Sequence, residues 1–572
     1  MSHNTFDEFS GLVSWPAALL LITMLATASP TASSASDANQ TPPNSPKLVV
    51  QITVDQLRGD LPMRYRERLM EGGFRYLMEQ GTHYTNAHYR HANTETAVGH
   101  STLFTGADPS RHGIVTNEWF DQKTGQIVYN TEDDRHHLIG KDPKPHQGVS
   151  PRNLLSSTIG DELVLSNAGQ SRVFSVSGKD RGAILPGGHA GKAFWYSKSS
   201  GQFVTSTYYY QEYPEWVAQW NASKPSDRYR GKQWKLSQSL ESYFAQDIDD
   251  RPYEADFGSL GRTFPHHYGD DKYTSLVVGL TPAVDELTIE FAKLTIIQEK
   301  LGAGGATDFL AVSLSATDYV GHLFGPSSLE SEDTILRLDR LLASFFEFLD
   351  QTVGLDQTLI VLSADHGGPE APEYIVDRIG LETGRYAFDH FKQPNELTKA
   401  LKRRFGRGDL IRAHSHPYLH LDYNVIQEAD LNPADVERFL AAEAIKLPGI
   451  FYAMSRSELV NGQYVDGPLQ RQIRRSFHFD RSGSVHLVAD QYWFMHSTGE
   501  AAAMGLPGLA AIHGSPWPYD TYVPIFFAGH EVRAQTVERR VAPTDIAPTI
   551  SNYLGIKYPS GNIGDPLPEV IQ

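Results

Sequence analysis

Short apolar runs that each stop at an aspartate or a histidine constrain the fold of this chain more than any other feature. Leu48–Val54 is apolar and rich in β-branched residues, and Asp55 follows it. The run 309–314 leads to Asp318 and His322, and the run 359–362 leads to Asp365, His366 and two glycines. Near the C-terminus His513 precedes the run 523–528. Continuous apolar runs of this length read as strands buried on both faces. Helical patterns such as 333–349 lie between them. Strands alternating with helices predict an α/β fold, with a mostly parallel central sheet and helices on both faces. Sites in such sheets form outside the carboxyl ends of the strands, where Asp55, Asp318, Asp365 and His366 fall.

A single carboxylate after a strand is ordinarily a turn or cap residue. Three such strand ends, two with a histidine within four residues, are not explained that way. Asp318 and His322 are four apart, so one helical turn places them on one face. Aspartate and neutral histidine are ordinary zinc ligands. The set Asp55, Asp318, His322, Asp365, His366 and His513 is too large for one catalytic zinc and suits two. A two-metal site clamps the attacking and leaving oxygens of an in-line displacement. Manganese or iron accept the same ligand types.

Composition narrows the partners. Of 572 residues, 40% are hydrophobic and 21% charged, which is globular. The net charge of −18 excludes a general nucleic-acid binder but not an anionic small substrate, because metal ions can make a local site positive. Residues 12–28 form an apolar run interrupted by Pro16 and ending in Ala26, Thr27 and Ala28, a small-x-small cleavage pattern. The expected organisation is a signal peptide over residues 1–28 rather than a stable membrane span, then a disordered linker over 29–46. A catalytic domain follows over 47–572, with insertions at about 185–300 and 375–500. The flank is atypical, since Asp7 and Glu8 precede the run and no lysine or arginine does. The absence of cysteine suits an exported protein that needs no disulfides, so a periplasmic or secreted location is expected.

Two further stretches make the pattern recognisable. Residues 91–106 read HANTETAVGHSTLFTG, and residues 176–181 read VSGKDR. Together with the ordered ligand set, they make the chain resemble the alkaline phosphatase superfamily. More narrowly, it is similar to the periplasmic bacterial alkaline phosphatases with a threonine nucleophile, which are related to type I phosphodiesterases and nucleotide pyrophosphatases. The resemblance extends from Lys47 to PTDIAPTISNYLGI at 543–556. It implies that Thr96, four residues before His100 and ten before Gly106, is the nucleophile. It also implies one zinc on Asp318, His322 and His513, and a second on Asp55, Asp365 and His366 with the Thr96 oxygen. Val98 departs from the family pattern, where many relatives have proline.

Threonine is a weak nucleophile, and metal coordination together with a helix N-terminus stabilises its alkoxide. A helix cap at Thr94 or Thr96 would explain a hydroxyl there but not the six ligands. Asn117, Lys179 and Arg181 match the phosphate-binding asparagine and Lys-x-Arg pair of the monoesterase branch. A monoester dianion has three free oxygens, which two cations and an amide donor can satisfy. The resemblance therefore implies hydrolysis of small-molecule phosphate monoesters through a phosphothreonine, with two zinc ions per chain. The alternatives are a phosphodiesterase or nucleotide pyrophosphatase, or a binding protein without catalysis. A sulfatase would need a modified cysteine or serine in place of Thr96. A monomer is favoured. The insertions are expected to cap the metal site, and HSHPYLH at 414–420 to form a polar loop.

Overall fold

The strand runs become the centre of a nine-stranded sheet. In the computed structural model, which describes residues 45–142, 144–387, 395–496 and 508–571, its strands are β1 (Leu48–Val54), β2 (Thr82–His88), β5 (Val173–Ser177), β6 (Lys192–Ser197), β7 (Gln202–Val204), β8 (Asp308–Leu314), β9 (Thr358–Ser363), β14 (Tyr522–Gly529) and β15 (Gln535–Val537). Outside it lie the hairpin β3 (Glu118–Asp121) and β4 (Gln126–Tyr129), and a four-stranded sheet of β10 (Ile411–Ser415), β11 (Tyr418–Leu421), β12 (Ile450–Ser455) and β13 (Val485–Ala489). The central order is β15-β2-β14-β9-β1-β8-β5-β6-β7. The block β9-β1-β8-β5-β6 is parallel throughout, whereas β14 runs antiparallel to β9.

Every residue of β1 is buried because both of its faces are covered. Val50, Ile52 and Val54 pack with Leu310, Val312 and Leu362 in one core cluster, while Val49 packs with Phe309, Ala311 and Val361 in another. The first core takes helices α3 (Ala283–Gln298) and α5 (Leu329–Thr352), whose Leu287, Phe291, Leu342 and Phe345 are buried in it. The second takes Leu103 and Phe104 of α1 (Thr96–Thr105). The predicted mostly parallel α/β sheet is the observed fold.

The insertions differ from expectation in one respect. Residues 192–204 form a hairpin, but β6 and β7 extend the central sheet instead of capping the metal site, and Phe203 and Trp234 join the main core. Aromatic side chains this large are buried more completely against an existing sheet than in a small separate core. The stretch around 410–490 does have its own core, with Leu419, Leu421, Leu440 and Val485 in one cluster. The polar loop expected at 414–420 is instead the hairpin β10–β11, and β13 is followed by a turn and the short strand Phe494–His496. The expected signal peptide and most of the linker lie outside the described residues. No described helix is long and apolar enough to cross a membrane.

Candidate active site

The parallel strands end at one edge of the sheet, and the candidate ligands gather there. Asp55 follows β1, Asp365 and His366 follow β9, and helix α4 (Ala316–Phe324) after β8 carries Asp318 and His322 one turn apart. Because β14 is antiparallel, its start lies at that edge, and His513 precedes it. Asp55, Asp318, Asp365, His366 and His513 are all buried.

Asp318, His322 and His513 present ligand atoms within 4.8 Å of one another, and so do Asp55, Asp318 and His366. The first group is the set expected for one metal. In the second, Asp318 stands where Asp365 was expected, although Asp365 Oδ2 lies 3.5 Å from His366 Nε2. Asp55 and Asp318 thus share one ligand group with His366, and Asp365 adjoins that histidine.

The histidines are oriented for coordination. His322 Nδ1 lies 2.8 Å from the Ala511 carbonyl, His366 Nδ1 2.8 Å from that of Gly367, and His513 Nδ1 2.7 Å from that of Thr94. A carbonyl only accepts, so each Nδ1 is the donor and each Nε2 of a neutral ring carries the lone pair. Burial pushes His366 down to about 3 and also lowers His513, so both rings are neutral. His366 Nε2 and Asp55 Oδ1 are 3.5 Å apart, and both are buried without a hydrogen-bond partner. Lone pair faces lone pair there, an arrangement made favourable by a cation between them. The donor set therefore fits metal ions.

Charge repulsion is visible in the aspartates. Burial, then Asp318 and Asp365, hold the Asp55 carboxyl well above its ordinary range. Burial opposes the Asp318 charge too, yet His322 and Lys179 hold it well below that range. Lys179 is the one side-chain ammonium in this group. Its Nζ lies 2.5 Å from Asp55 Oδ2 and 2.5 Å from Asp318 Oδ2. It therefore sits against the candidate ligand carboxylates, not among the residues lining the neighbouring cavity.

That cavity, of ≈ 390 Å³, is lined by Thr96, Asn117 and Arg181 together with His322 and His513. Thr96 is the first residue of α1, and its Oγ1 is buried without a hydrogen-bond partner. Neither threonine caps the helix. Thr94 Oγ1 donates to the Ser515 carbonyl, and Asn117 Oδ1 accepts the Ala97 N–H. Asn117 thus takes one of the orphan N–H groups of the helix start and keeps its amide Nδ2 as a donor. Gly99 permits the close approach of α1, since a Cβ there would lie 1.9 Å from the Asp365 carbonyl oxygen. His100 Nε2 and Ser313 Oγ, 2.8 Å apart, tie the helix to β8.

Three residues that hydrogen-bond to the candidate site residues or their loops carried no sequence signal. Gln56, at φ 65, donates its backbone N–H to Asp365 Oδ1 and its Nε2–H to Asp318 Oδ1, both at 3.1 Å. Tyr129 Oη donates to Asp180 at 2.7 Å and accepts from Arg181 Nη1 at 3.3 Å, which orients the guanidinium. Asp520 Oδ2 accepts the Gly514 and Ser515 N–H groups at 3.1 and 2.8 Å, and its carbonyl accepts Gly367 N–H at 2.7 Å. It joins the His513 and His366 loops.

Comparison with known proteins gives the family of the chain. A family model for type I phosphodiesterase / nucleotide pyrophosphatase matches residues 49–516. A Myroides odoratus protein named calcium-transporting ATPase is 38% identical, over 92% of this chain and 95% of its own. Alkaline phosphatase PhoV of Synechococcus elongatus is 36% identical, over 92% and 93%. The crystal structure of alkaline phosphatase PafA superposes with a TM-score of 0.85 at 35% identity, over 93% of this chain and 100% of that one. A solved variant of PafA has a threonine, an asparagine, a lysine and an arginine replaced, at successive intervals of 21, 62 and 2 residues. The chain belongs to the type I phosphodiesterase/nucleotide pyrophosphatase family. It is a hydrolase of the alkaline phosphatase superfamily, which its sheet and strand-end site define.

Proposed function

We propose that the chain is an exported alkaline phosphatase that hydrolyses small phosphate monoesters through a phosphothreonine at Thr96. One observation carries this reading. The unpartnered Thr96 hydroxyl stands at a helix N-terminus, in a cavity shared with Asn117 and Arg181 and with the candidate metal ligands His322 and His513. The intervals of 21, 62 and 2 residues in the PafA variant also separate Thr96, Asn117, Lys179 and Arg181, which supports matching this quartet to the residues replaced there.

In this reading Asp318, His322 and His513 hold one zinc and Asp55, Asp365 and His366 the other. When bound, the two ions supply Lewis acidity to the attacking and leaving oxygens. The chain itself does the rest. Thr96 Oγ attacks phosphorus in line, the bond to the ester oxygen breaks, and water then releases phosphate from the threonine. The N-terminus of α1 favours both the alkoxide and the phosphoryl group. Arg181, oriented by Tyr129, and the Asn117 amide donate to phosphoryl oxygens, and Lys179 adds positive charge to the same region.

The family description favours a second reading, a phosphodiesterase or nucleotide pyrophosphatase. Parallel kcat/KM measurements on an aryl monoester and an aryl diester, with metal analysis of the same sample, separate the two. The expected result is a clear monoester preference with two zinc ions per chain. A diester preference would move the assignment to the second reading, and full activity with one ion would remove the two-metal scheme. Export rests on residues 1–28, and N-terminal sequencing of the mature product tests it. Sedimentation tests the expected monomer.

A further inference from the structure

Each strand of the parallel block β9-β1-β8-β5-β6 is followed by a charged residue beyond its carboxyl end. Asp365, Asp55, Asp318 and Lys179 follow the first four and are assigned above. Lys198 follows β6, in the turn to β7, and the proposed reaction leaves it without a role. Tyr319 connects it to the site.

Tyr319 stands next to Asp318 on α4, half-buried and packed against the main core. Two ammonium groups meet its ring. Lys179 Nζ lies 4.7 Å and Lys198 Nζ 4.5 Å from the ring centroid. Lys198 Nζ also donates to Tyr319 Oη at 3.1 Å, and among the described residues it forms no ion pair with a carboxylate. A Cβ at Gly279 would lie 2.6 Å from Lys198 Cγ, so the glycine makes room for the lysine stem.

The ring differs in kind from the other partners of Lys179. Those are Asp55 Oδ2 and Asp318 Oδ2, each 2.5 Å from Nζ. Both carboxylates belong to candidate ligand groups, so bound metal ions compete with the ammonium for them. An aromatic face attracts an ammonium through its quadrupole but offers zinc no nitrogen, oxygen or sulfur ligand atom. The ring contact is therefore the one that metal binding does not contest.

We propose that Tyr319 is a positioning residue for the reaction: its ring holds the Lys179 ammonium at the strand ends beside the phosphoryl group, and Lys198 fixes that ring through its hydroxyl. The inference rests on the monoesterase reading above.

Double-mutant cycles on the zinc-loaded full chain test it, read as kcat/KM for an aryl monoester, with zinc content and melting temperature measured on every variant. Tyr319→Leu, which removes the ring, is expected to lower kcat/KM by about 3- to 30-fold, the scale of a lost cation–π contact. Tyr319→Phe, which keeps the ring, should restore most of that loss. In the Lys179→Ala background Tyr319→Leu should cost less than about 2-fold, because the ammonium it positions is gone. Tyr319→Phe and Lys198→Met remove the same hydrogen bond, so the two combined should cost no more than the larger single loss. This second cycle leaves Lys179 and the ring in place, and it decides the matter where Lys179→Ala loses zinc or Tyr319→Leu does not fold. An equal loss from Tyr319→Leu in both backgrounds, additive losses from Tyr319→Phe and Lys198→Met, or zinc lost from a folded Tyr319→Leu overturns the inference alone. Wild type that turns over an aryl diester but no aryl monoester overturns the monoesterase reading and this inference with it.

Discussion

At the scale of single residues, the site depends on side chains whose polar atoms are left open. Thr96 Oγ1, Asp55 Oδ1 and His366 Nε2 are all buried without hydrogen-bond partners, a costly state that binding chemistry explains. Thr96→Ala is expected to abolish covalent phosphate capture and to lower turnover by roughly 10³-fold or more, since it removes the proposed nucleophile. Rapid acid quench with peptide mapping checks this, and phosphate found on Thr94 or Ser101 would place the nucleophile elsewhere. Arg181 is the cleaner probe of substrate choice, because Lys179 also touches Asp55 and Asp318 and its loss would disturb the metal ligands. A lost charge-assisted hydrogen bond costs about 1.5–3 kcal/mol, or roughly 10- to 150-fold in rate. Arg181→Ala should impose that loss on an aryl monoester, whose dianion carries one more charge than a diester, and much less on the diester. Equal losses on both substrates, with zinc content intact, would show that Arg181 does not read the extra charge.

At the scale of elements, close packing fixes where these side chains stand. Helix α1 reaches the strand ends because Gly99 presents no Cβ to the Asp365 carbonyl. Asp520 holds the loops of His513 and His366 together through hydrogen bonds to Gly514, Ser515 and Gly367. Asp520→Ala leaves the Gly514 and Ser515 N–H groups without their acceptor, while its backbone bond to Gly367 remains possible. Zinc affinity is expected to fall by about 10- to 100-fold, as for other groups that orient metal ligands. Chelator competition measures this, and Asp520→Asn, which keeps one acceptor oxygen, should fall less. A lower melting temperature with unchanged zinc affinity in both variants would make Asp520 merely structural. These partners explain what was legible in the sequence. Strands β1, β8 and β9 are continuous apolar runs because both faces are buried, so they and the aspartates behind them were readable. Gln56, Tyr129 and Asp520 act through hydrogen bonds to distant residues, and their types signal nothing alone. The hairpin at 411–421 looked polar because its partner, β13, lies more than 60 residues further on, where it pairs with the buried Tyr418 and Leu419.

At the scale of the whole molecule, the candidate metal ligands run from Asp55 to His513 and so tie together segments far apart in the chain. Ions bound there stabilise the fold by mass action, by about 4.1 kcal/mol at a free concentration 1,000 times Kd. At roughly 2–4 °C per kcal/mol for domains of moderate size, and less for larger ones, zinc should raise the melting temperature by about 5–10 °C over chelator-treated protein. The gain should depend on pH. In the metal-free chain Asp55 is held well above its ordinary value by burial, Asp318 and Asp365. A carboxyl raised on folding favours the fold while protonated, and that contribution is lost as pH rises through its folded pKa. Asp318 behaves in the opposite sense. It is buried, yet held well below its ordinary value by His322 and Lys179, so it stabilises the fold above its unfolded pKa and loses that contribution only as pH falls through the folded one. As pH rises the metal-free chain therefore loses the contribution of protonated Asp55, and bound cations offset the charge that replaces it. Ligand protonation also weakens metal binding in acid. Calorimetry of zinc-loaded and chelator-treated protein should thus show a larger gain at pH ~8 than at pH ~5. An equal gain at the two pH values, or none at pH ~8, would mean that bound metal does not offset the charge of this carboxylate cluster.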